Sequence, residues 1–252
     1  MKIALVTGAS SGLGQKYAEY IGEIFPEIEE IWALARREIR LKALAEKITV
    51  PKIVPIECDL TKDSDIEKLR QRIRAKSPEI LLLINNAGCG FHGAFEASSE
   101  EEQLRSIALN VTALTQITRM ALDYMPEGAR ILNTSSIASF VPNAYMSVYS
   151  ATKAYVTFFS RGLNEELKKS GRSVTAVCPA PMNTEFLTVG HIQGNSKTFE
   201  RLPYCDVGKV ARAALIKAKK RKSVYTPRAF YKFYRILVRI LPDWLLVKMA
   251  KT

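Results

Sequence analysis

Short apolar runs alternate with longer segments of helical period along most of this chain. Lys2-Ile3-Ala4-Leu5-Val6 reads as a buried strand that ends at a Gly/Ser-rich turn, and a helix follows from about Gly12 to Ile24. Ile31-Trp32-Ala33-Leu34 predicts a second strand, with a charged helix from about Glu38 to Ile48 behind it. Lys52-Ile53-Val54-Pro55-Ile56 is strand-like, and Thr61-Lys62-Asp63 opens the next helix. Ile80-Leu81-Leu82-Leu83-Ile84 is a strand that stops at Asn85-Asn86. A long helix from about Glu100 to Met125 leads into the strand Arg130-Ile131-Leu132-Asn133, and a helix over about Ser147 to Lys168 leads into Ser173-Val174-Thr175-Ala176-Val177. Strands separated by helices imply βαβ units and a parallel sheet. The pattern predicts one α/β domain over residues 1–252, a doubly wound parallel sheet of about seven strands flanked by helices, with a C-terminal helical extension at 227–252.

Composition narrows the class. A hydrophobic fraction of 47% over 252 residues is ample for a packed core. Cys58, Cys89, Cys178 and Cys205 show no metal or redox spacing, and His92 and His191 complete no metal-ligand cluster, so no metal is expected and the thiols read as reduced. The first apolar run stops at Thr7-Gly8, too short for a secretory signal, and no uninterrupted stretch reaches the length of a membrane span. A cytoplasmic protein is expected. The net charge of +12 is confined to one region: residues 201–252 carry 14 Lys/Arg and 2 Asp/Glu, and the other 200 residues carry 23 of each. That asymmetry marks a local surface and argues against a nucleic-acid binder.

Two constellations carry chemistry. Gly8, Ser10, Ser11, Gly12, Leu13 and Gly14 sit between the first strand and the first helix, where backbone N–H groups and the helix dipole cradle a dinucleotide pyrophosphate. The second strand ends at Leu34-Ala35-Arg36-Arg37, without the acid that usually meets the ribose 2′-OH of NAD(H). An arginine there pairs with a 2′-phosphate, which favours NADP(H) over NAD(H). Arg36 is the first choice for this contact and Arg37 the second. Farther along, Tyr149 and Lys153 are four residues apart in a predicted helix and so share a face. A phenol has an ordinary pKa of about 10, and an adjacent ammonium favours the phenolate and lowers it, giving a proton donor and acceptor.

Together these residues resemble the short-chain dehydrogenase/reductase family, over nearly the whole chain. Thr7–Gly14 is similar to its Thr-Gly-x-x-x-Gly-x-Gly turn, and Asn85-Asn86-Ala87-Gly88 to its Asn-Asn-Ala-Gly motif. Cys58-Asp59-Leu60 resembles the segment that meets the adenine ring. Asn110 falls at the family's asparagine, and Ser136, thirteen residues before Tyr149, at its serine, with Ser135 as the alternative. Pro179-Ala180-Pro181-Met182-Asn183-Thr184 resembles the Pro-Gly-x-x-x-Thr loop, with alanine where glycine is usual. The resemblance implies a Rossmann-like fold. It also implies that Tyr149 acts as acid or base, Lys153 tunes it, Ser136 holds the substrate oxygen and Asn110 anchors a water. Asn86, Ala87 and Gly88 would line the adenosine side, and Pro179, Met182 and Thr184 the nicotinamide side.

The expected function is an NADP(H)-dependent interconversion of a carbonyl and a secondary alcohol on a steroid-, bile-acid- or lipid-like substrate. A 3-oxoacyl thioester reductase is the alternative. A non-catalytic NADP-binding regulator is a remote reading, because Asn110, Ser136, Tyr149 and Lys153 are all present. Residues 181–204 hold Phe186, Leu187, Val189, Ile192, Phe199 and Leu202 and read as a substrate loop. The cationic, apolar segment Phe230–Leu246 has three readings: a wall of the substrate pocket, a peripheral contact with anionic membrane, or an oligomer contact. A homodimer or homotetramer is expected.

Overall fold

The computed structural model describes residues 1–196, 200 and 202–250. Seven parallel strands form one sheet: β1 (Lys2–Thr7), β2 (Glu30–Ala35), β3 (Lys52–Glu57), β4 (Glu79–Asn85), β5 (Arg130–Thr134), β6 (Ser173–Val177) and β7 (Val224–Tyr225). Their order is β3-β2-β1-β4-β5-β6-β7. The chain winds outward from β1 to β3, then returns to place β4 on the other side of β1. At that reversal the connections leave in opposite directions and open a crevice beyond the carboxyl ends of β1 and β4.

Strand alternation feeds two cores. Ala4 and Val6 point to one face of the sheet and Ile3 and Leu5 to the other, all fully buried. The first face is covered by α1 (Gly12–Ile24), α2 (Glu38–Lys47) and α8 (Val207–Lys219), through side chains such as Tyr17, Ile21, Leu41 and Leu215. The second is covered by α3 (Asp63–Lys76), α5 (Leu114–Leu122) and α6 (Ser147–Leu167), through Ile66, Ile73, Ile117 and Leu163. Each such aliphatic side chain contributes about 1.5–3 kcal/mol on burial, so the sheet is a rigid base for its loops.

The structure differs from the sequence expectation in three places. The long helix is broken into α4 (Glu100–Ile107), a π-helical turn (Ala108–Ala113) and α5. The π-turn surrounds Asn110, whose buried side chain bonds the backbone of Cys89. Helix α8 and the two-residue strand β7 were not foreseen. The basic run Lys217–Lys222 proves to be the end of α8, where Lys219 donates to the Ile24 carbonyl and lies over the Phe25 ring, so these cations complement a helix C-terminus. Short helices α7 (Glu185–Val189), α9 (Ala229–Leu237) and α10 (Asp243–Met249) complete the chain. Among the described residues no helix is long and apolar enough to cross a membrane.

Candidate active site

The crevice contains a cavity of about 500 Å³ that runs from the β1–α1 turn to α6 and α9. All the sequence-predicted site residues line it except Gly14 and Asn110, which stand just behind its wall. Gly14 has no room for a side chain: a Cβ would lie 2.2 Å from the Gly8 carbonyl oxygen. This contact packs the start of α1 onto the turn. The first turn of α1 carries no acid, so its free N–H groups and positive dipole end face the cavity unopposed. The turn is tied to β4 through Thr7 Oγ1, which accepts from Asn86 N (2.9 Å) and Ala87 N (3.0 Å), while Asn86 Nδ2 donates to the Thr7 carbonyl (3.2 Å).

At one end of this groove, Arg37 Nη2 donates to Ser10 Oγ (3.2 Å) and Ser11 Oγ (3.0 Å). Arg36 lines the same cavity, and its charge acts on Asp59. Partial burial works to raise the Asp59 pKa, but hydrogen bonds from Thr61 and the charges of Arg36 and Lys62 outweigh it and lower the pKa. Of the two arginines, Arg37 is therefore the one already joined to the serines of the turn.

At the other end, Tyr149 and Lys153 are 7% and 4% exposed, which makes this a dry site. Lys153 Nζ donates to the Thr134 carbonyl (2.9 Å) and lies 5.8 Å from the centre of the Tyr149 ring. Ser136 stands beside the Tyr149 phenol and acts to lower its pKa, and its hydroxyl accepts from Ala138 N (3.1 Å). Ser135 is committed elsewhere: its hydroxyl donates to the Lys153 carbonyl (2.8 Å) and meets Thr157 Oγ1 (2.7 Å), anchoring α6 to β5. Asn110 Nδ2 donates to the Cys89 carbonyl (2.7 Å) and Thr152 Oγ1 (3.0 Å), and its Oδ1 accepts from Cys89 N (3.0 Å). Gly88 must lack a side chain here, since a Cβ would stand 2.8 Å from Asn110 Oδ1 and 3.2 Å from Lys153 Nζ.

Burial governs the electrostatics. It pushes the Tyr149 phenol up to about 12 against the opposing effect of Ser136, and pushes the Lys153 ammonium down to about 8. The phenol depression expected from the adjacent lysine is not found in the protein alone, because loss of water outweighs a cation standing over the ring instead of at the hydroxyl.

The loop after β6 closes the cavity. Ala180 is buried with an ordinary negative-φ backbone, so alanine in place of the usual glycine carries no strain. Phe186 packs on Tyr149 (ring centres 5.4 Å apart), and Leu187 and Ile192 join Met146 beside it. Phe199 lies outside the described residues. Phe230, Tyr231 and Tyr234 of α9 form the far wall. Sequence reasoning missed Thr134, which orients Lys153 by a backbone carbonyl and so leaves no mark in residue type. It also missed Glu185, which pairs with Arg37 and Arg40 across the groove.

Sheet order, phosphate turn and crevice define a doubly wound dinucleotide-binding protein. The pattern of the short chain dehydrogenases matches residues 2–190. The chain belongs to that family of oxidoreductases acting on CH–OH groups. A short-chain dehydrogenase from Sphingobium yanoikuyae in complex with NADPH is 31% identical, with 96% of this chain and 97% of that one covered and a TM-score of 0.79. The bulky-bulky ketone specific alcohol dehydrogenase from Comamonas testosteroni is 32% identical, with 95% and 91% covered and a TM-score of 0.75. The very-long-chain 3-oxoacyl-CoA reductase of Rattus norvegicus is 32% identical over 185 residues, which span 70% of this chain and 58% of that protein.

The Lys153 pKa predicts a pH signature. The folded value of about 8 lies below the ordinary 10.5, so between these pH values the unfolded chain binds more protons and stability rises with pH. Lys153→Met abolishes this gain. Relative to the variant, wild type should gain on the order of 1–2 kcal/mol between pH 7.5 and 9.5 in urea unfolding. The raised Tyr149 value acts in the opposite sense, above pH 10.

Proposed function

We propose that this protein is an NADP(H)-dependent reductase of a hydrophobic ketone, with Tyr149 as the proton donor. The observation that carries the reading is the joining, in one cavity, of a glycine turn suited to a phosphate and a buried phenol with Ser136 beside it and Lys153 behind it. The groove suits a dinucleotide: it has a close-packed glycine turn, an unopposed helix N-terminus and a Ser10–Ser11–Arg37 corner of the kind that receives a 2′-phosphate. When bound, the nicotinamide group supplies or accepts the hydride at the carbonyl carbon.

The chain's own residues do the rest. Ser136 donates to the substrate oxygen and sets it beside the phenol. Tyr149 delivers its proton to that oxygen as negative charge develops there. Lys153, fixed by the Thr134 carbonyl, keeps a positive charge next to the phenolate that remains. The Asn110 amide is already spent on Cys89 and Thr152, which leaves its main-chain carbonyl, in the π-turn, to anchor the water that returns a proton to the pair. Tyr149→Phe should lower kcat by about 10²–10⁴-fold and leave NADPH binding within a few-fold. Near wild-type reduction by the variant would remove Tyr149 from this role.

Cofactor preference follows from Arg36 and Arg37 and is supported by the NADPH complex of the Sphingobium relative. At equal concentration NADPH should be consumed faster than NADH, and Arg37→Ala should narrow the gap. A clear NADH preference in the wild type would sink the assignment. The walls formed by Phe91, Phe186, Leu187, Phe230, Tyr231 and Tyr234 favour a bulky apolar substrate. The 3-oxoacyl thioester reading is supported by the rat relative, and substituting oxoacyl thioesters for steroids and free ketones in the same assay separates the two.

The partners follow from the outer surface. Exposed Leu104, Ile107, Tyr155 and Phe158 on α4 and α6, which pack together, favour a homo-oligomer through that side. On α9, α10 and the turn between them, Phe233, Ile236, Ile240 and Trp244 are exposed, as are Lys232, Arg239 and Lys248. A second copy docked face to face here would oppose like charges, so the patch favours an anionic lipid surface. Trp32 is buried, so a blue shift of the exposed Trp244 on adding phosphatidylserine vesicles reports this contact. The shift should disappear in Ile236→Glu and at high salt. No shift at low salt would exclude membrane contact.

A further inference from the structure

The corner that suits a 2′-phosphate is already engaged by the chain itself. Besides the two serines, Arg37 Nη2 donates to Glu185 Oε2 (2.8 Å), and Arg40 Nη1 donates to Glu185 Oε1 (2.5 Å). Glu185 comes from the opposite bank of the crevice. It opens α7, directly after Thr184 and 148 residues away from Arg37. Its carboxylate offers the arginines what a phosphate offers, a pair of anionic oxygens. A 2′-phosphate and this carboxylate would compete for the same guanidinium, and each would repel the other.

We propose that Glu185 is an internal competitor of the cofactor 2′-phosphate: without that phosphate it holds Arg37 and Arg40, and a 2′-phosphate draws both arginines from it and frees the first turn of the substrate loop. The inference rests on the NADP(H) reading. Three features support it. Both partners of the Arg37–Glu185 pair are nearly half exposed, so the pair is weak and replaceable. A phosphate monoester carries up to about two charges against the carboxylate's one, so it wins the exchange. The two bonds also hold the Glu185 carboxyl down to about 2, so the competitor stays ionised throughout the physiological range and no pH change substitutes for the phosphate.

The exchange reaches the chemistry through one residue. Phe186, next in the chain, packs on the Tyr149 ring, while the far end of the loop is held by His191 to Glu102 and by Ile192 within the Met146–Leu187 cluster. Releasing Glu185 therefore loosens the loop at the end nearest the cofactor and leaves the other end fixed. A cofactor lacking the 2′-phosphate would leave the clasp shut.

Calorimetric titration with two fragments tests this without turnover. Wild type should bind 2′,5′-ADP more tightly than 5′-AMP. Glu185→Gln and Glu185→Ala should each tighten 2′,5′-ADP by roughly three- to tenfold, the range expected from removing exposed ion pairs, and leave 5′-AMP unchanged. Amide exchange over residues 185–190 should quicken in wild type on adding 2′,5′-ADP, and be fast from the outset in both variants. Unchanged or weaker 2′,5′-ADP binding in the variants would overturn the competition and leave the NADP(H) reading standing. Equal affinity for both fragments in wild type and variants alike would overturn the NADP(H) reading, and the proposal with it.

Discussion

A buried ammonium is the constraint around which the rest of this site is arranged. Lys153 is almost wholly withdrawn from water, a placement that costs several kcal/mol unless the surroundings compensate. The compensation comes from the backbone carbonyl of Thr134 at the end of β5, which accepts from the ammonium, and from the Tyr149 ring beneath it. Holding that carbonyl in place requires β5 to keep its register with β4 and β6, which the sheet core secures. Bringing the lysine close requires Gly88 to have no side chain and Asn110 to pull the 88–90 segment inward. The π-turn is the backbone's response to the same demand, since it turns Asn110 into the interior.

The other half of the crevice depends on charge instead of burial. The glycine turn, Arg36, Arg37 and Arg40 form an exposed cationic margin, where Glu185 meets Arg37 and Arg40 and Asp59 feels the charge of Arg36. The two halves differ in their expected response to conditions. Salt weakens the exposed margin, whereas the dry Tyr149–Lys153 centre feels protonation far more than ionic strength.

Much of this was legible in the chain because it is written locally. The strands are mostly short apolar runs, β1 stopping at Gly8 and β4 at Asn85, and the glycine turn and the Tyr149–Lys153 pair are contiguous motifs. What escaped is of two kinds. Helix α8 buries Val210, Ala211, Ala214, Leu215 and Ala218, mostly small residues whose contrast with their neighbours is faint beside the lysines around them. Strand β7 has only two residues and is defined by its pairing with β6. Thr134 and Glu185 act through contacts between distant segments, one of them through backbone alone, so no spacing announces them. The Tyr149 pKa was misjudged for a related reason: spacing places the lysine beside the ring, but the degree of burial that decides the sign is a property of the packed whole.

Helix α9 gives the molecule a division of labour along its length. The family pattern ends at residue 190, after every residue proposed to move a proton or cradle a phosphate. The aromatic wall of Phe230, Tyr231 and Tyr234 lies beyond that point, on a helix held by the Tyr234 ring on Phe140 and by the Tyr231 hydroxyl on the Pro203 carbonyl. One wall of the cavity is therefore separate in sequence from the residues proposed to carry the chemistry. Were α9 alone to vary while β5, β6 and α6 stayed as they are, that wall could be rebuilt around a different ligand with the Tyr149–Lys153 geometry unmoved.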